Sequence, residues 1–163
     1  MLDEVDRDLG EESLYESVRL TAAGVASWET LFRAACEKGN DASLAAALGS
    51  PGGAYINARE PNVRSRTGDD KDVPYNAPVT MAEGEFNRFY IRAMCVRALV
   101  DDVALEIYRA RASENPDRES EAKLGQSPDS SALLDDLRSH QGVATALGLP
   151  PHPNSGLSVR LRA

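Results

Sequence analysis

The sequence predicts a mainly α fold: a small helical domain around one long central helix, with a long irregular loop and a minor β-element that includes the C-terminal strand. Three observations carry this expectation. Phe86, Phe89, Ala93, Val96, Val100, Val103 and Ile107 recur at alternating intervals of 3 and 4, an apolar seam along one side of a helix. Residues 50–80 carry no helical period at all. Leu157 to Arg162 alternate apolar and polar at the end of the chain, the pattern of a strand.

The 11–38 segment reads as an amphipathic helix, with Leu14, Val18, Ala22, Val25, Trp28, Phe32 and Ala35 at helical spacing and Gly39-Asn40 as its C-cap. Before it, Leu2, Val5 and Leu9 suggest a short helical lead-in. The Thr21-Ala22-Ala23-Gly24 stretch is small on all sides, so another helix can approach closely there. Asn40 or Asp41 caps a short helix over 42–48, stopped by Gly49.

Ser50-Pro51-Gly52-Gly53 then breaks the period, and 50–80 becomes a loop or arm of roughly 30 residues, far above the usual 4–6. Two fragments within it suit extended chain, residues 54–57 and 63–73. Thr67-Gly68-Asp69-Asp70 is a plausible turn inside the second.

The central helix, 81–112, opens near Thr80 with Glu83 three residues on. Besides its seam it carries a second stripe, Ile91, Met94, Cys95, Ala98, Leu105 and Tyr108. A helix apolar on two faces must be covered on two faces, because exposed apolar surface costs about 25 cal/mol per Å². Some 31 residues span about 46 Å, against a radius of gyration of about 15 Å for a domain of this length. A break at Asp101-Asp102, where the second stripe is interrupted, weakens that length argument. Ser113 to Gln126 is polar, Ser127-Pro128 opens a helix over 128–141 with Leu133, Leu134 and Leu137 buried, and 157–162 forms the terminal strand. That strand needs a partner, either residues 54–57, residues 63–73 or another subunit.

At 163 residues the chain is expected to form a single domain, 1–163. Its net charge of −8 is uneven: residues 1–50 hold 10 acidic and 4 basic side chains, whereas residues 82–112 hold 5 of each. An acidic molecule is a poor general binder of polyanions. No apolar run approaches the roughly 18 residues of a membrane span. The acidic segment from Met1 to Glu12 does not resemble a secretory signal, and two cysteines give no disulfide framework. A cytoplasmic protein, or one incorporated in an assembled particle, is the expectation.

Catalytic signatures are thin. Neither phosphate-binding glycine pattern occurs, and Gly52-Gly53 reads as a turn. His140 and His152 stand in no metal-ligand spacing, so no metal or other cofactor is expected. A Cys95–His140 pair has nothing to orient it. Pro116-Asp117 with Glu121 and Lys123 has the residue types of a nuclease metal site, but crowded into one polar stretch.

Arginines and aromatics carry more. The leading expectation is a non-enzymatic structural or adaptor protein that self-associates or docks in a larger assembly, such as a shell, head or tail component. Its candidate contacts are Phe86, Phe89, Tyr90 and Arg92 on the helix, Tyr55, Ile56 and Tyr75 in the loop, and Leu157, Val159 and Leu161 in the strand. The alternative is a nucleic-acid-associated accessory protein using Arg88, Arg92, Arg97, Arg64 and Arg66. Acids nearby, Glu85, Asp101, Asp69 and Asp70 among them, offset those arginines. A third reading is a metal-dependent enzyme built on the loop acids. No membrane partner is expected.

Overall fold

One aspartate ends the long helix early. In the computed structural model, which describes residues 1–50, 54–112, 118–142, 145, 147–150 and 155–162, helix α4 runs over Ala77–Asp101. It does not continue to residue 112. Asp102 takes a left-handed conformation (φ 53°), and the Val103 N–H reaches back to the Ala98 carbonyl at 3.0 Å, the C-terminal closure usually built on glycine. Aspartate tolerates that conformation better than most residues. The chain re-emerges as strand β3, Leu105–Arg109, whose Leu105 and Ile107 are buried at a spacing of two. Leu105 and Tyr108 therefore belong to a strand, although their spacing from Ala98 also suits a helix.

The full order is α1 (Leu2–Gly10), α2 (Ala22–Lys38), α3 (Asp41–Leu48), β1 (Arg59–Pro61), β2 (Asp70–Asp72), α4, β3, α5 (Arg118–Lys123), α6 (Ser130–Ser139) and β4 (Leu157–Leu161). The architecture is mainly α with two small antiparallel sheets. The chain divides into two compact units, one of Met1–Leu14 with Gly84–Ala163 and one of Tyr15–Glu83.

In the Tyr15–Glu83 unit, α2 begins at Ala22, so the helix expected from residue 11 starts eleven residues later. Thr21 is its N-cap, its Oγ1 accepting from Gly24 N–H at 3.0 Å. The residues before it are drawn into extended pairing instead: Leu20 bridges Ile56, Asn57 N–H donates to Arg19 O, and Thr21 N–H donates to Tyr55 O. What approaches the small-residue stretch is thus backbone, not a helix. A Cβ at Gly24 would lie 2.3 Å from the Tyr55 carbonyl oxygen. Trp28 and Phe32, stacked at 5.2 Å, are buried, as are Leu44 and Leu48 of α3. Asn40, the residue before α3, closes a reciprocal capping box with Ser43. Within 50–80, β1 and β2 pair with Glu60 opposite Lys71. Glu60 holds the Arg19 guanidinium through two hydrogen bonds and Lys71 Nζ at 3.1 Å.

In the other unit, the second stripe of α4 supplies the core. Ile91, Cys95 and Ala98 belong to one buried cluster with Leu105 and Ile107, with Leu133, Leu134 and Leu137 of α6, and with Leu157 and Val159 of β4. The terminal strand finds its partner here: β4 pairs antiparallel with β3, Ile107 opposite Val159 and Leu105 opposite Leu161. It pairs neither with 54–57 nor with 63–73. Its actual partner was hidden because those residues also fit a helical period. Glu106 and Arg160, opposite one another in the ladder, form a salt bridge at 3.1 Å. The outer edge of β3 is taken by Gly125 and Gln126. Helix α6 is capped by Asp129, which accepts from Ala132 N–H at 2.7 Å, so Pro128 precedes the cap and does not open the first turn.

Replacing Gly24 by alanine adds helix propensity but drives a methyl into the Tyr55 carbonyl. Overpacking of this kind costs about 1–3 kcal/mol, against less than about 1 kcal/mol gained. The Gly24→Ala variant is expected to melt several degrees below the parent in a thermal scan; an unchanged or raised Tm contradicts the packing described.

Candidate functional site

Helix α1 is strongly acidic, yet two of its acids face inward. Glu4, Val5 and Asp8 are its buried residues, one helical turn apart on a single side. They meet Arg92 of α4, which has no solvent exposure. Arg92 donates from Nε to Glu4 Oε2 at 2.8 Å and from its two terminal nitrogens to the Asp8 carboxylate at 2.6 and 2.7 Å. Its guanidinium also lies 4.5 Å from the centre of the Phe89 ring. Arg138 of α6 holds the same Glu4 carboxylate through two hydrogen bonds of 3.0 and 2.6 Å. One carboxylate thus ties three helices together.

The electrostatics follow. Burial pushes the Glu4 carboxyl upward, but hydrogen bonds and charge from Arg138 and Arg92 outweigh it and hold the group below its ordinary value. Glu85 goes the other way. Its burial, with a smaller push from Asp8, exceeds the pull of Arg88 and Arg92. Arg88 is buried and donates to the His140 carbonyl at 2.5 Å, with Glu85 at 3.9 Å.

This network positions the exposed feature of the unit. The seam on α4 passes under α1 at Phe89, which is buried. It then emerges. Ala93 is half-buried, Val96 is 37% exposed, Leu99 50% and Val100 76%. A shallow pocket of about 240 Å³ lies where α1 gives out, lined by Met1, Asp3, Glu4, Ala93, Val96, Arg97 and Val100. Arg97 is ion-paired along the helix with Asp101. The lining combines the apolar Met1, Ala93, Val96 and Val100 with the charged Asp3, Glu4 and Arg97.

The remaining sequence candidates are placed as follows. Leu157 and Val159 are core residues, Leu161 and Tyr90 pack against that core, and Phe86 is half-buried. Tyr55 and Ile56 are half-buried beside the start of α2, whereas Tyr75 is almost fully exposed. Arg88 and Arg92 point inward and present no guanidinium to a phosphate. Arg97, Arg64 and Arg66 are exposed, the last two on the segment joining β1 and β2. Burial raises the thiols of Cys95 to about 12 and Cys36 to about 11, so both stay protonated and unreactive near neutrality. His140 Nδ1 lies 2.8 Å from Asp136 Oδ1 on its own helix, and Asp136 also accepts from Leu147 N–H. Glu121 pairs with Arg109, and Lys123 with Glu119. Pro116, Asp117 and His152 lie outside the described residues, as do Gly52 and Gly53. Among the described residues no three His, Cys, Asp or Glu side chains gather as a metal site, and no helix is long and apolar enough to cross a membrane.

Sequence reasoning missed Met1, Asp3 and Glu4 in the pocket lining, the exposed Leu99 and the buried Asp8. The four-residue spacing of Glu4 and Asp8, astride Val5, was the available signal. No protein-family model matches the chain, no curated protein is detectably similar to it, and no solved structure matches it.

Removing Arg92 takes both short hydrogen bonds from the buried Asp8 carboxylate and leaves Glu4 with Arg138 alone, and breaking a buried ion pair from one side costs about 3–5 kcal/mol. Arg92→Met is therefore expected to lose most of its cooperative melting transition or to drop far in Tm. The pH dependence has a definite sign. Glu4 has a folded pKa below its unfolded value of 4.5, so its contribution is present above that pH and is lost as pH falls through the lowered value. Glu85 favours the fold in its protonated form, so Glu85→Gln is expected to keep or raise Tm at pH 7 while Glu4→Gln lowers it. Equal effects of the two substitutions in thermal melts contradict the assignment.

Proposed function

We propose that this protein is a non-enzymatic docking component, a structural or adaptor piece of a larger assembly in the cytoplasm or within a particle. The observation that carries the reading is the uncovered continuation of the α4 seam at Val96 and Val100, with the exposed Leu99 next to it, on a helix whose opposite face packs into the core. Isolated exposed valines are ordinary. Val96 and Val100, which share one helical stripe and line the pocket with Asp3 and Arg97, together with the exposed Leu99, have the composition of a contact surface.

Two of the grounds offered by the sequence do not support the reading. The terminal strand is paired within the chain, and the central helix is shorter than expected. The nucleic-acid alternative retains Arg64, Arg66 and Arg97, which are exposed, but loses Arg88 and Arg92 to internal partners. A docking role needs neither set.

Exposed positions can be changed without harming the fold, so Val96→Asp with Val100→Asp isolates the surface. Size fractionation of an extract of the native source is expected to place the parent chain well above its 17.6 kDa monomer mass and the double variant at that mass. Thermal melts of the two are expected to agree within a few degrees. A parent chain that runs as a free monomer in the extract overturns the proposal.

A further inference from the structure

We infer that α1 is a proton-controlled strap, which lifts from α4 and α6 as one piece while the apolar cluster beneath stays assembled. The first ground is how α1 is held. Val5 is its one buried apolar side chain, with Leu2 and Leu9 half-buried. Among the described residues, the apolar cluster of α4, α6, β3 and β4 takes nothing from α1. What fixes α1 is ionic: Glu4 and Asp8 against Arg92, and Glu4 against Arg138. Lifting the helix returns all four groups to water together, so no charge is stranded, and the net loss is far smaller than the attraction within the pairs. Opening the cluster would instead expose large apolar side chains with no such return.

The second ground is the joint. Residues 13–17, which follow α1, lie in no helix or strand, so α1 swings there without unravelling a neighbouring element. Its nine residues are too few to hold a helix in water, so a lifted α1 loses its hydrogen bonds and its amides meet solvent.

Protons set the balance, and two carboxyls act in opposite senses. Glu4 faces Arg92 of α4 and Arg138 of α6, the latter flanked by Asp135. Burial raises Glu4, and the two arginines more than reverse this, so lifting takes up a proton and grows as pH falls below 4.5. Glu85 of α4 faces Arg88 and Arg92 on its own helix and Asp8 on α1, while His140 at the end of α6 gives its carbonyl to Arg88. Burial raises Glu85, and Asp8 adds to it. Once α1 leaves, Asp8 no longer repels, and Arg92, freed from the acids of α1, draws a negative charge onto Glu85. Lifting therefore releases a proton there and grows as pH rises above 4.5. The thiol of Cys95, pushed up to about 12, stays protonated throughout. Docking of α1 is tightest in an intermediate window and loosens on both sides, by at most about tenfold per pH unit for each proton.

Met1, Asp3 and Glu4 form one side of the pocket, and Ala93, Val96, Arg97 and Val100 the other. A lifted α1 takes the first side away, so the strap decides how much of the α4 stripe is open. This device is independent of what, if anything, docks on that stripe.

Hydrogen exchange of the full chain, resolved by residue at about pH 3.5, 4.5 and 7.5 and corrected for intrinsic rates, tests it. Amides of Val5 to Gly10 are expected to exchange at least about tenfold faster than those of Ile107 in β3 and Leu137 in α6 at each pH, with the gap smallest near the middle value. Glu4→Gln is expected to speed exchange in α1 and to remove the rise on the acid side. Glu85→Gln is expected to slow it several-fold at the highest pH and to remove the alkaline rise. Because Glu85→Gln leaves every ion pair of α1 in place, it keeps the test decisive even if Glu4→Gln does not fold. Amides of α1 that exchange in step with Ile107 and Leu137 overturn the inference. So does an α1 rate that pH leaves unchanged, or a Glu85→Gln chain that keeps the alkaline rise.

Discussion

A guanidinium without solvent contact governs how the larger unit closes. Burying Arg92 would be prohibitive alone, because a charge leaving water loses far more than any single hydrogen bond returns. It becomes tolerable only when carboxylates of matching geometry come with it. Glu4 and Asp8 supply them, and so helix α1, which has little apolar surface of its own, is held in place by its acids. Arg138 converges on the same carboxylate and brings α6 into the arrangement. The apolar cluster under α4 would assemble a core without α1. The ionic cluster decides that α1 lies along the seam, and hence which part of that seam is covered.

The unit is therefore built in two registers of specificity. Ile91, Cys95 and Ala98 pack on strands and helix through shape alone, a contact that tolerates sliding. Fork-shaped arginine and paired carboxylates do not tolerate it, since a displacement of one residue along α1 unpairs both acids at once. Polar networks of this kind are costly when incomplete and selective when complete. Asp136 and Glu60 serve the architecture in the same way. Asp136 spends both oxygens on local partners, and Glu60 clamps Arg19.

Much of the fold was legible in the sequence. Asn40-Asp41 before a short apolar run marks α3, three leucines at helical spacing mark α6, and strict alternation marks β4. The mainly α class with a minor β-element follows from those signals. What was not legible has a common cause: short segments satisfy two periods. Leu105, Ile107 and Tyr108 can be threaded on a helix or a strand, and only Asp102 decides, through a backbone conformation that a periodicity cannot register. Residues 13–20 likewise carry apolar spacing, but Arg19 and Thr21 find backbone partners in Asn57 and Tyr55 across a long sequence gap. The apolar stripe of the site was visible, and the division of that stripe into a covered and an open part was not. That division depends on α1, whose acids look like ordinary solvated charge until Arg92 is placed beside them.

The way α1 runs out at the pocket has a practical side. Residues fused ahead of Met1 would start beside Ala93 and Val96, on the bare valine track itself. A purification tag in that position acts as a plug, because its own apolar groups settle over those valines and change the surface the chain presents.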